Sequence, residues 1–112
     1  MTFQNKESSK MSKINSSYAI KKIITSLYFI LKEEPQRNNA FTSSRELQDK
    51  LDAYFRRFVK PEKSHYSDQI LEHFTSAVNE MVSMGIILYD SKDENSPLLI
   101  VKEKLIQQIA HI

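Results

Sequence analysis

Three histidines, fourteen carboxylates and sixteen Lys or Arg residues are the groups with which this chain of 112 residues could do chemistry. His65, His73 and His111 stand far apart, without partners at metal-ligand spacing, and no Cys supplies a thiolate or a disulfide. Glu72 and Glu80 share a helix face about two turns apart, with no nucleophile to complete an acid–base site. Gly85 is the sole glycine, so no loop can cradle a nucleotide phosphate. The expectation is a protein that is not an enzyme and holds no cofactor or metal.

The cations suggest a different chemistry. Net charge is +2, too balanced for polyanion binding by bulk charge, so only a local patch can grip nucleic acid. Such a patch gathers at Lys50, Arg56, Arg57, Lys60 and Lys63, with Lys92 further on. Arg56 and Arg57 cannot both turn inward beside Phe55 and Phe58, so at least one is expected to lie free of the core, at a corner that can grip phosphate. The competing expectation is that Asp49, Asp52 and Glu62 neutralise the corner and leave a mixed solvated surface.

These groups need a frame, and Ser67–Gly85 supplies its centre. The stretch predicts one long helix with Ser67 as N-cap and Gly85 as the left-handed residue after its last turn. Ile70, Leu71, Phe74, Ala77, Val78, Met81 and Val82 recur at helical spacing as an apolar stripe. The opposite face carries Asp68, Glu72, His73, Asn79 and Glu80 and no Lys or Arg. A helix that reads the major groove takes its commonest base contacts from Arg and Lys, so this face is expected to meet protein.

Residues 1–15 are polar and non-periodic, a disordered lead or a linker from a preceding domain. A first helix is expected from Ser16 or Ser17 to about Glu34, ended by Pro35. Its core stripe is Ala19, Ile20, Ile23, Ile24, Leu27, Ile30 and Leu31. Its back carries Tyr18 and Phe29 among lysines, an exposed pair that suggests a second contact surface. Phe41-Thr42 reads as a short strand. Ser43 and Glu46 have capping-box spacing and start a second helix whose apolar face is Leu47, Leu51, Tyr54, Phe55 and Phe58, with Pro61 as its stop. After Gly85, Ile86–Tyr89 and Leu98–Val101 predict a hairpin around a loop at 90–97 that holds Asp90, Asp93 and Glu94 against Lys92. Leu105, Ile106, Ile109 and Ile112 then line a closing helix. This is a mainly α chain with a small β-hairpin, the α+β order of a winged helix-turn-helix: three to four helices and a two- to three-stranded wing, over residues 16–112.

The first helix (Tyr18–Leu31), Glu46–Phe58 and AVNEMVSMGIILYDSKDENSPLLIVKEKLIQQI together resemble the C-terminal winged-helix domains of eukaryotic and archaeal replication initiators, the origin-recognition-complex and Cdc-type ATPases. The C-terminal winged helices of MCM helicase subunits are similar. The resemblance implies DNA contact through the third helix and wing, and docking on neighbouring ring subunits. This chain departs from that pattern where the third helix lacks Lys and Arg and the wing is acidic, which favours docking.

The expected function is an interaction module in a DNA-associated assembly such as replication initiation or licensing. Tyr18, Phe29, Glu72, His73, Asn79 and Glu80 are the docking candidates. One alternative is a DNA-binding winged helix, in a transcription regulator or an origin binder, holding phosphates at the basic corner. A second is a homodimer through Phe29, Ile109 and Ile112. No apolar run is long enough to span a membrane, and the absence of Cys suits an intracellular protein, nuclear or cytoplasmic.

Overall fold

A computed structural model describes residues 15–58, 64–89 and 95–111. Five α-helices and three strands are present among them, in a mainly helical α+β arrangement. The expected tail, Lys60, Lys63, Pro61, Lys92 with its acidic loop neighbours at 90–94, and Ile112 lie outside the described residues.

Helix α1 (Ser16–Glu33) is the axis of the fold. Its cap is Asn15, whose Oδ1 accepts from the backbone N–H groups of Ser17 and Tyr18, one residue earlier than expected. Ala19, Ile23, Ile24, Leu27, Ile30 and Leu31 are buried, as their spacing predicts. Four other helices gather on this stripe, and all of them touch α1 or a helix packed on it.

A tight Pro35–Arg37 turn follows, and then Asn38 and Asn39 take φ of 56° and 62°. Asn tolerates this left-handed region better than most side chains, and the pair swings the chain into β1 (Ala40–Phe41). Helix α2 (Ser44–Phe58) begins where the capping box was expected, with Glu46 N–H donating to Ser43 Oγ. The Glu46 carboxylate reaches one residue further back than in the standard box, to Thr42 N–H. Leu47, Leu51 and Phe55 are buried. Phe58 is not, contrary to expectation: it sits on the last turn, past the helices it would pack on, and is 65% exposed.

The expected long helix is two helices. Helix α3 (Ser64–Leu71) packs on α1 and α2, while α4 (Phe74–Ser83) packs on α1 and the sheet. Glu72 and His73 form the break, where His73 N–H bonds back to Ile70 O instead of continuing the helical ladder. A straight helix would have to aim Ile70 and Met81 at one wall; the break lets each half bury its own stripe. Gly85 does end the second half, at φ 76°. Ile86 N–H bonds to Met81 O and Gly85 N–H to Val82 O, the paired closure that needs a left-handed residue between them.

Ser67 is also corrected, from cap to core. It lies inside α3, fully buried, and its hydroxyl has no hydrogen-bond partner among the described residues. Replacing a buried, unsatisfied hydroxyl with a methyl removes a desolvation penalty of about 1–3 kcal/mol, set against a small loss of packing. Ser67→Ala is therefore expected to stabilise the fold by about 1 kcal/mol. A cap would give the opposite sign, so urea unfolding of this single variant distinguishes the two roles.

Strands β2 (Ile87–Tyr89) and β3 (Leu98–Ile100) pair antiparallel, and β1 joins the far side of β3, giving the order β1-β3-β2. Phe41, Ile87, Leu98 and Ile100 face the core. Alternation leaves Leu88 and Leu99 on the outer face at 51% and 45% exposure. Their register with Ala40 makes one apolar row across all three strands. Helix α5 (Lys102–Ala110) closes the domain through Leu105, with Ile109 half-buried and Ile106 left outside, unlike its expected place in the stripe.

Candidate functional site

The described members of the basic corner are all paired. Arg56 Nε donates to Asp52 Oδ1 at 3.0 Å, and its Nη2 reaches Asp68 across to α3. Arg57 grips both oxygens of Glu33 at 2.8 and 3.0 Å, and holds that carboxyl below its ordinary range. Lys50 Nζ meets Glu34 at 3.3 Å. Both Arg56 and Arg57 lie outside the core, as expected, but each is held by carboxylates. Of the carboxylates expected to neutralise the corner, Asp52 does so and Glu62 lies outside the described residues; Glu33, Glu34 and Asp68 were not foreseen, because sequence distance hides them. Such exposed pairs add little stability, but they set a carboxylate beside each cation of the corner.

The docking candidates do not form one surface. Glu72 and His73 sit at the break between α3 and α4, whereas Asn79 and Glu80 are exposed further along α4. Tyr18 is 43% exposed and its hydroxyl is bound to that of Tyr66 on α3. Burial, with that hydrogen bond, pushes the Tyr66 phenol up to about 12, so Tyr66 keeps its proton at neutral pH. Phe29 is 42% exposed, on the same flank of α1 as Glu33. Beside Glu33, the Arg57 guanidinium lies over the Tyr54 and Phe58 rings at 5.5 and 5.1 Å. This makes an aromatic cluster at the far end of α2. Of the homodimer set, Ile109 is partly taken up by the core.

Two features were missed. The first is a network at the edge of the sheet. Arg37 Nη2 pairs with Glu34 at 2.6 Å and Nη1 with Glu46 at 3.1 Å, while its guanidinium lies 4.5 Å over the Phe41 ring. Ile100 N–H bonds to Asn39 O, so positions 39 and 41 of this antiparallel pair use the β3 side. Ala40 O and Thr42 N–H then point to the open edge, and Arg37 Nη1 and Glu46 Oε1 occupy them. The second is a groove of about 500 Å³ between the start of α2 and α4. Phe74, Val78 and Val82 floor it, and Arg45, Gln48, Thr75, Asn79, Ser83 and Tyr89 rim it. Arg45 was readable as the exposed side of the α2 stripe; its proximity to α4 was not.

Among the described residues, no group of His, Asp and Glu is placed to hold a metal, and no helix is long and apolar enough to cross a membrane. Compared with family models, curated proteins and solved structures, the chain matches none.

Proposed function

We propose that this chain is a non-catalytic winged-helix module that docks on a protein partner within a DNA-associated assembly, of the replication-initiation kind that its sequence resembles. The order of helix, strand, helices, two strands and helix, with the first strand laid against the last, supports the winged-helix reading. The pairing of the described members of the basic corner, Lys50, Arg56 and Arg57, carries the docking reading. A phosphate arriving at Arg56 or Arg57 would have to displace Asp52, Asp68 or Glu33, which would then remain as repelling charges beside it. Helix α4 adds no cation to compensate and carries Glu80 on its exposed side. The sheet, in contrast, offers protein a continuous apolar row at Ala40, Leu99 and Leu88.

A fluorescence-anisotropy titration with a random-sequence DNA duplex, at low and near-physiological salt, tests this reading. The expected result is no binding at near-physiological salt, with Arg56→Glu/Arg57→Glu making no difference. Micromolar binding at low salt that weakens steeply with salt and vanishes in the double variant would replace docking with phosphate contact.

A further inference from the structure

The geometry points to the groove between α2 and α4 as the docking site for a short acidic–apolar segment of a partner protein, with apolar side chains on its floor and a carboxylate at Arg45. This rests on the docking function proposed above and adds the chemistry of the partner.

Arg45 is the one charged side chain among the residues that line the groove. Lys50, Arg37, Arg56 and Arg57 each meet a carboxylate, whereas Arg45 pairs with none among the described residues. None of the residues lining the groove is acidic either, so Arg45 gives it a single, uncompensated positive charge. Arg suits this task because its planar fork can take a carboxylate through two parallel hydrogen bonds.

The floor sets the other half of the partner. Phe74 and Val78 belong to the core but keep an edge open to the groove, at 7% and 6% exposure, and Val82 is half-buried. Tyr89 closes one end, its hydroxyl side anchored by a hydrogen bond to Ser44. Burial raises the Tyr89 phenol, so it stays neutral and adds no competing charge. A concave site with a small apolar floor inside a polar rim suits one or two side-chain anchors flanked by hydrogen bonds and one charge. Nucleic acid fits it less well. A phosphate backbone has nothing to place on Phe74, Val78 and Val82, one cation is a small electrostatic gain, and Glu80 stands on the same helix.

The test uses the full chain, isotope-labelled, titrated with a short peptide alternating Leu and Asp and with its counterpart carrying Lys for Asp. The acidic peptide is expected to shift the amide resonances of Arg45, Gln48, Thr75, Asn79 and Ser83, and the Lys peptide to leave them in place. Arg45→Glu is expected to weaken the acidic peptide about tenfold, the loss of one charge-assisted contact. Arg45→Lys should retain most of the binding, and unchanged circular dichroism confirms that each variant folds. Equal binding of both peptides, or indifference to Arg45→Glu, overturns the inference. So does the absence of any shift at these residues. Shifts that appear instead at Leu88 and Leu99, or at Phe29, overturn the groove but leave protein docking standing. Salt-sensitive shifts at Arg45 with a DNA duplex and none with peptide overturn both.

Discussion

Leu27→Ala is expected to lower the stability of the fold by about 2–5 kcal/mol, measured by urea unfolding followed by circular dichroism. The residue is fully buried near the middle of α1, the helix on which α2, α3, α4 and α5 all pack. Three methyl(ene) carbons leave a cavity whose walls belong to several elements, so no single helix can shift to fill it. A domain of this size has about 5–15 kcal/mol to lose, so the variant is expected to be partly unfolded at physiological temperature. Ile106→Ala, on the exposed side of α5, should change stability by less than about 0.5 kcal/mol. Equal losses at the two positions would mean that α1 is not the shared axis.

Arg37→Ala is the second large effect. The substitution removes two ion pairs, a hydrogen bond to Ala40 O and the stack on Phe41 at once. It leaves Glu34 and Glu46 half-buried without their main cation, and the expected loss is about 1–3 kcal/mol. The loss should depend on pH. Arg37, followed by Lys50, holds the Glu34 carboxyl below its usual range. At Glu46, burial acts to raise the carboxyl, but Thr42 N–H and Arg37 together outweigh it and the net shift is downward. Carboxyls depressed in the folded state contribute stability above the ordinary carboxylate pKa, and that contribution is lost as pH falls through their lower folded values. The gap between wild type and Arg37→Ala should therefore be widest near neutrality and narrow below the carboxylate range. A gap constant from neutral to acid pH would assign the loss to the stack on Phe41 and the hydrogen bond to Ala40 O. The variant also uncovers the edge of β1, so sedimentation velocity should show more self-association than in wild type.

The sequence conveyed the elements better than their ends or their neighbours. Local rules carried the first: the stripe of α1, the Ser43–Glu46 start of α2 and the left-handed Gly85 all follow from residues within a turn of one another. The break at Glu72–His73 was not readable, because Ile70, Phe74, Val78 and Met81 keep a perfect helical period across it. Only the directions of the walls they pack on decide that the helix must turn. Ser67 shows the same limit, since a Ser before an apolar run has the composition of a cap whether or not the helix begins there. The candidate site was the least legible part. Glu33 and Arg57 are distant in sequence, and nothing in the residues around Arg57 pointed to its partner on α1. The groove needed α2 and α4 to be placed side by side before its unpaired Arg45 acquired any meaning.

The sheet also has a consequence in time. Its central strand is the last to be made: β1 at residues 40–41 has no neighbour until β3 at 98–100 exists, and β2 reaches it through the same strand. The helices between them make their contacts locally and can gather on α1 early, whereas the sheet must close a loop that includes most of the domain. During synthesis, then, a nascent chain would carry a helical core with an unpaired strand for as long as the ribosome takes to reach β3. The Arg37–Glu46 clasp is local to β1 and needs none of the later residues, so it can cover the outer edge of that strand early and leave only the side that carries Asn39 O to wait for β3.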